Sequence, residues 1–186
     1  MTQRTFSATT LRQDLLLALF LVALCVVMRL LPHMSNFSPV AAAALFAGAT
    51  LNRRWLAVAV PIVAMLASDA FIGSYGWRMM TVVYGALALP AVIGMLIRGW
   101  RTSTVAIGGA FASTLTFFAI TNFAVWALST LYAPDLRGLL ECYVAALPFL
   151  KYTAAGDLFW SIALFGGWAL LRRRAGRPDA ALVPQS

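Results

Sequence analysis

Asp69 is the ionisable side chain best placed to do chemistry in this chain of 186 residues. It follows Ser68 near the end of a long apolar run, where the helix dipole disfavours an anion. Ionisable groups at membrane depth are rare, and are either paired or functional. Arg78 or Lys151 is the expected neutralising partner, with a buried structural ion pair as the competing reading. Asn36, Arg78, Lys151 and Asp157 lie at or beside the starts of the second, fourth and sixth apolar runs. Three helix N-termini on one side would favour an anionic or strongly polar ligand. Asp157 is equally read as a first-turn acid complementing its own helix dipole.

Further polar and aromatic groups extend this list. Asn122 sits inside an apolar run with Trp126 one turn on, and Tyr84 lies early in another. A membrane-embedded Asn must be hydrogen-bonded, so it either joins helices or lines a cavity. Tyr75, Trp77, Tyr84 and Trp126 are candidate apolar walls. Trp77, Tyr132, Tyr143 and Tyr152 also suit an interfacial aromatic belt. His33 is the only histidine, and no second ligand stands at metal spacing from it, so ligand contact or local hydrogen bonding is expected and no metal site is assigned. Met79 and Met80 read as packing residues, although a thioether facing a cavity can touch a soft metal centre. The sequence has no glycine-rich phosphate loop, nucleophile elbow, HExxH or paired-Cys motif. We therefore expect no enzyme; an intramembrane acid–base pair of Asp69 and His33 is the remaining enzymatic possibility.

The elements that must position these groups are apolar. Such runs cover Leu15–Leu31, Phe37–Leu51, Trp55–Ile72, Met79–Ile97, Val105–Leu131 and Thr153–Leu171. A hydrocarbon core takes about 20 helical residues and accepts about 17. The second run is short but is stopped cleanly by Asn52–Arg54. Six spans put both termini on one side, with Arg4, Arg12, Arg53, Arg54, Arg98, Arg101, Arg172, Arg173, Arg174 and Arg177. The other side receives Arg29, Arg78, Arg137 and Lys151 together with Asp69, Asp135, Glu141 and Asp157. The positive-inside rule makes the first side cytoplasmic, so the candidate site faces outward. A chain 62% hydrophobic and 11% charged is not a soluble domain. Its net charge of +8 is explained by topology and anionic lipid, not by nucleic acid. Cys25 and Cys142 fall in different segments, so no disulfide framework is expected. The first run lacks a small-residue cleavage site and reads as a retained helix.

Residues 1–174 are expected to form one six-helix all-α membrane domain, with 175–186 a disordered tail. Between residues 134 and 148, Leu136, Leu139, Leu140, Tyr143, Val144 and Leu147 recur at helical spacing. Pro134-Asp135 reads as its start and Pro148 as its end. This predicts a short amphipathic helix at the outer interface, capping a cavity or resting on lipid. Ser38-Pro39 reads as N-cap and first helical position. Ala43/Ala47 and Ala44/Gly48 form small-xxx-small pairs suited to close helix packing, within the chain or against a partner.

Several segments together resemble an uncharacterised bacterial family of transport proteins: residues 29–39 (RLLPHMSNFSP), Ser68-Asp69, residues 120–126 (ITNFAVW), Cys142-Tyr143 and residues 155–159 (AGDLF). That family is similar to the substrate-binding S-components of energy-coupling-factor (ECF) vitamin transporters. The resemblance runs from about Arg29 to Gly167. It implies a six-helix protein of the bacterial inner membrane that binds a vitamin or metal near its outer face. It further implies docking on an ATPase coupling module through a small-residue patch, here Ala41–Gly48, on helix two instead of helix one. The nearest characterised plan is that of the BtuM-type cobalamin transporters, which carry a cobalt-binding Cys between helices three and four. Here Gly73–Arg78, Met79 and Met80 contain none, which leaves Met79, Met80, His33 or nothing for cobalt. The resulting expectation is capture of a small polar solute, a vitamin with cobalamin as first choice. Asp69, Arg78 and Lys151 would anchor it, with His33, Asn36, Met79, Asn122 and Asp157 around it. A non-transporting subunit of a larger membrane complex is the alternative.

Overall fold

The computed structural model describes residues 8–32, 36–99 and 102–175. The expected tail lies outside them beyond Ala175, the last residue of the final helix, and His33 lies outside them too. Six helices occur among the described residues: α1 Ala8–Leu30, α2 Val40–Thr50, α3 Arg54–Ile72, α4 Trp77–Leu96, α5 Thr102–Leu128 and α6 Leu136–Ala175. Five of them are long and apolar enough to cross a membrane, and the protein is a multi-pass all-α membrane protein. The exception is α2, whose 11 residues rise only about 16 Å.

That short helix is the centre of the bundle. Residues Val40 to Gly48 are all buried, and α2 packs against each of the other five helices. A helix made almost wholly of Ala, Gly, Leu, Val and Phe can be enclosed because it has no polar side to expose. Its contact with α4 is backbone to backbone. A Cβ on Gly48 would lie 2.0 Å from the Ala91 carbonyl oxygen, and one on Gly94 would lie 2.2 Å from that of Leu45. The small residues of Ala41–Gly48 are consumed by this internal packing, so the patch offers no face to a coupling module. The N-cap position of α2 is Pro39, with no side-chain cap, and the first helical residue is Val40. Ser38 therefore precedes the N-cap position, and the Pro39 carbonyl accepts the first intrahelical bond, from the Ala43 amide.

A larger departure concerns the last helix. The amphipathic segment 134–148 and the sixth span are one continuous helix of 40 residues, with Pro148 inside it. Membrane helices tolerate an internal proline where neighbours satisfy the freed groups, and α5 lies alongside. Asp135 does start the helix, accepting the Gly138 amide at 2.7 Å. The Tyr143 hydroxyl donates to Ala119 O at 2.6 Å, and the Cys142 thiol to Asn122 O at 3.4 Å. These bonds hold the first turns of α6 to the flank of α5, where a separate interfacial helix was expected. Leu136, Leu140, Val144 and Leu147 remain exposed on the outside.

Hydrogen bonds tie down one end of the bundle. At the end holding the start of α1 and the end of α6, buried Asp14 accepts the Asn52 amide (3.1 Å), Asn52 Nδ2 (3.3 Å) and the Arg53 amide (3.2 Å). Arg98 donates to Gly48 O at 3.0 Å and also to Leu51 O, satisfying carbonyls at the end of α2. Asp14→Ala leaves three donors without their acceptor and is expected to cost about 2 kcal/mol. Thermal unfolding of the detergent-solubilised variant measures this, and an unchanged midpoint would remove Asp14 from the account of α2's placement.

Candidate functional site

The other end contains a cavity of about 480 Å³ to which every helix contributes. Arg29 reaches it from α1, Asn36 and Ser38 from the following connection, and Ala41 from the start of α2. Met65 and Ile72 of α3, Tyr75 of the next loop, and Val83 and Leu87 of α4 form one side. Phe117 of α5 with Thr153 and Asp157 of α6 close the other. The volume lies within the range of small-molecule sites, as does a mainly apolar wall with a few placed polar groups.

Arg29 is the group that sequence reasoning missed. Its Nε donates to Ser68 Oγ at 2.7 Å and its terminal nitrogen forms an ion pair with Asp69 Oδ1. The Tyr84 hydroxyl donates to Asp69 Oδ2 at 2.9 Å. Asp69 is thus fully engaged: its charge holds Arg29 at the cavity wall, and its own side chain is not part of that wall. It is a positioning residue. The signal in the sequence was Arg29 itself, a cation near the end of an apolar run that demands an acid at the same depth.

The Gly73–Gly76 loop carries Tyr75 over the cavity. Gly73 (φ +106°) and Gly76 (φ +92°) take conformations that side chains resist, so the chain folds back tightly enough to place the ring. Burial, followed by the nearby Asp69 carboxylate, pushes the Tyr75 phenol above its ordinary pKa, and it lines the site as a neutral hydroxyl. Asn36 has φ +62°, a left-handed conformation that Asn adopts more readily than most residues.

On the opposite wall, Gly156 lets α6 approach the connection between α1 and α2: a Cβ there would sit 3.1 Å from Phe37 Cα. This brings Thr153 and Asp157 to the cavity. The Thr114 hydroxyl donates to Asp157 Oδ2 at 2.6 Å, and Asp157 is only 3% exposed. Because α6 begins at Leu136, Asp157 is not in its first turn, and the N-terminus of α6 does not point at the cavity. The expected convergence of three helix dipoles is therefore reduced to the start of α2, since the first residue of α4 on the wall is Val83, about two turns into that helix.

Several expected site residues lie elsewhere. Arg78 stands over the Trp77 ring, 5.5 Å from its centroid, and Trp77 is largely exposed. Lys151 Nζ lies 4.9 Å from the centroid of Tyr152. Neither cation pairs with Asp69, because Arg29 of the neighbouring helix already does. Trp126 Nε1 donates to Ala133 O at 2.9 Å, fastening the α5–α6 turn. Met79 is half-buried on α4 and is not part of the cavity wall. Asn122 turns its amide back to Phe118 O at 2.8 Å. It lines a smaller cavity of about 220 Å³ that shares Asn36, Phe117 and Thr153 with the larger one. Among the described residues no cluster of three or more His, Cys, Asp or Glu could hold a metal, and Cys25 and Cys142 are buried and unpaired.

Fold and site together define a class: a multi-pass helical membrane protein with a partly polar cavity at one end of the bundle. Within it, the chain belongs to DUF6580, a family of unknown function, whose model matches residues 9–182. Comparison with curated proteins and with solved structures gave no match.

Proposed function

We propose that this protein is a membrane transporter or S-component-like binding subunit that captures a small polar solute, of vitamin class, in the 480 Å³ cavity. One observation carries the reading: all six helices surround a cavity whose wall mixes apolar side chains with Arg29, Asn36, Tyr75, Thr153 and Asp157. A purely structural subunit has no use for such a space, since membrane helices hold together by close packing. The orientation follows from charge. Arg12, Arg53, Arg54, Arg98 and Arg172 lie at the end opposite the cavity, which the positive-inside rule assigns to the cytoplasm of a bacterial inner membrane. The cavity then opens outward, as uptake requires. Its volume favours a solute of one or two rings over a corrinoid macrocycle. An ATPase coupling module, if it serves this protein, docks on a surface other than Ala41–Gly48, which is buried.

Native mass spectrometry of the detergent-purified protein, followed by thermal-shift titration with a panel of water-soluble vitamins, tests this. A retained small molecule, or stabilisation by a panel member that Thr153→Trp abolishes by filling the cavity, is the expected result. A bare mass with no stabilisation by any member would overturn the reading in favour of a structural subunit.

A further inference from the structure

Charge on the cavity wall does not balance. Arg29 is neutralised by Asp69, so that pair brings no net charge. Tyr75 is a neutral phenol, and Asn36, Ser38 and Thr153 are uncharged. What remains is Asp157, which lines the cavity at 3% exposure. Its Oδ2 accepts the Thr114 hydroxyl, while Oδ1 has no donor among the described residues. The other cations at this end are engaged elsewhere: Lys151 and Arg78 stand over Tyr152 and Trp77, and Arg137 pairs with Glu141. The helix dipole gives no relief either: Asp157 is about 30 Å along α6 from its start, and the dipole acts within the first turn. A carboxylate withdrawn from water without a counter-charge is costly, and it is relieved either by taking up a proton or by a cation seated against it. The ring of Phe117 lines the same cavity, and aromatic faces attract cations.

We infer that the solute is an organic cation of one or two rings, seated with its positively charged nitrogen against Asp157 Oδ1 and its ring beside Phe117. The inference rests on the cavity being a solute site. A sodium ion presents the same charge to Asp157. Buried hydroxyls with no partner, Ser161 one turn along α6 and Ser113 next to Thr114, make that source worth separating.

The test is a charge series on the purified full-length protein, read by thermal shift and tryptophan fluorescence. Pyridoxamine, pyridoxine and 4-pyridoxate carry an ammonium, a hydroxyl and a carboxylate on one ring, and thiamine carries a fixed positive charge. The ammonium and thiazolium probes are expected to bind on the order of tenfold to a hundredfold more tightly than the neutral probe, with the carboxylate weakest. Asp157→Asn, which keeps the size of the side chain, is expected to erase that preference. Should the variant fail to fold, the series on the unaltered protein decides alone. Equal or tighter binding of pyridoxine or 4-pyridoxate overturns the cation and leaves the solute site standing. Stabilisation by sodium chloride over N-methylglucamine chloride, without a preference for the cationic probes, also overturns it. Binding of none of the four overturns it as well, and the retained-ligand measurement then judges the solute site separately.

Discussion

Asp69→Leu is expected to lower stability by about 3 kcal/mol, whereas Arg29→Met combined with Asp69→Leu costs less than either single change. Removing one member of a buried ion pair leaves an uncompensated charge, at about 3–5 kcal/mol, while replacing both by apolar groups is often close to neutral. The lower end applies here because the Arg29 side chain keeps 19% of its exposure, against 3% for Asp69, and a long cationic stem can shift its head toward water. Tyr84→Phe removes a single hydrogen bond to the same carboxylate and is expected to cost about 1 kcal/mol. Unfolding of the three variants and the double mutant in one detergent gives the coupling energy directly. Additive single changes would mean that Arg29 and Asp69 act independently. Solute binding adds a second readout. Arg29 lines the cavity and Asp69 does not, so Asp69→Leu weakens binding only as far as it frees Arg29.

This triad shows where sequence reasoning succeeds and where it stops. Asp69 stood out because a charge in an apolar run is conspicuous, and its need for a cation followed from the cost of burial. Which cation could not be read. Arg29, Arg78 and Lys151 share the same end, and only the packing of α1 beside α3 selects Arg29. Asp157 was legible as a candidate for a similar reason, yet its helix register was misplaced. Pro148 suggested a break, and bonds from Tyr143 and Cys142 to α5 carry the helix through it. Asp14 passed unnoticed because its partners are two backbone amides and one asparagine side chain of a loop 38 to 39 residues away, a pairing that leaves no pattern in composition. The apolar runs, by contrast, marked all six helices to within a few residues at most ends, since span length and flanking arginines are local properties. The main errors were the starts of α1 and α6, where polar or amphipathic turns precede the apolar run.

Gly48→Ala and Gly94→Ala are the changes expected to damage the fold most for the fewest atoms added. In each case the new methyl carbon meets backbone, not a side chain that could turn away. At Gly48 the Ala91 carbonyl oxygen would be 2.0 Å distant, and at Gly94 the Leu45 carbonyl oxygen 2.2 Å and the Ala49 amide nitrogen 2.9 Å. Relief therefore requires α2 and α4 to separate as whole helices. Overpacking of a core ordinarily costs about 1–3 kcal/mol. The upper end is expected here, because α2 touches every other helix and moving it away from α4 disturbs those contacts too. Gly108→Ala is the control: nothing lies within 4 Å of its Cβ, and alanine favours a helix over glycine by up to about 1 kcal/mol. The same separation would distort the cavity, since Ala41 of α2 and Val83 and Leu87 of α4 line it together. Loss of solute binding in a Gly48→Ala protein that still unfolds cooperatively would place the α2–α4 contact in the geometry of the site. A Gly48→Ala protein as stable as the unaltered one would show that the two helices are not in backbone contact at all.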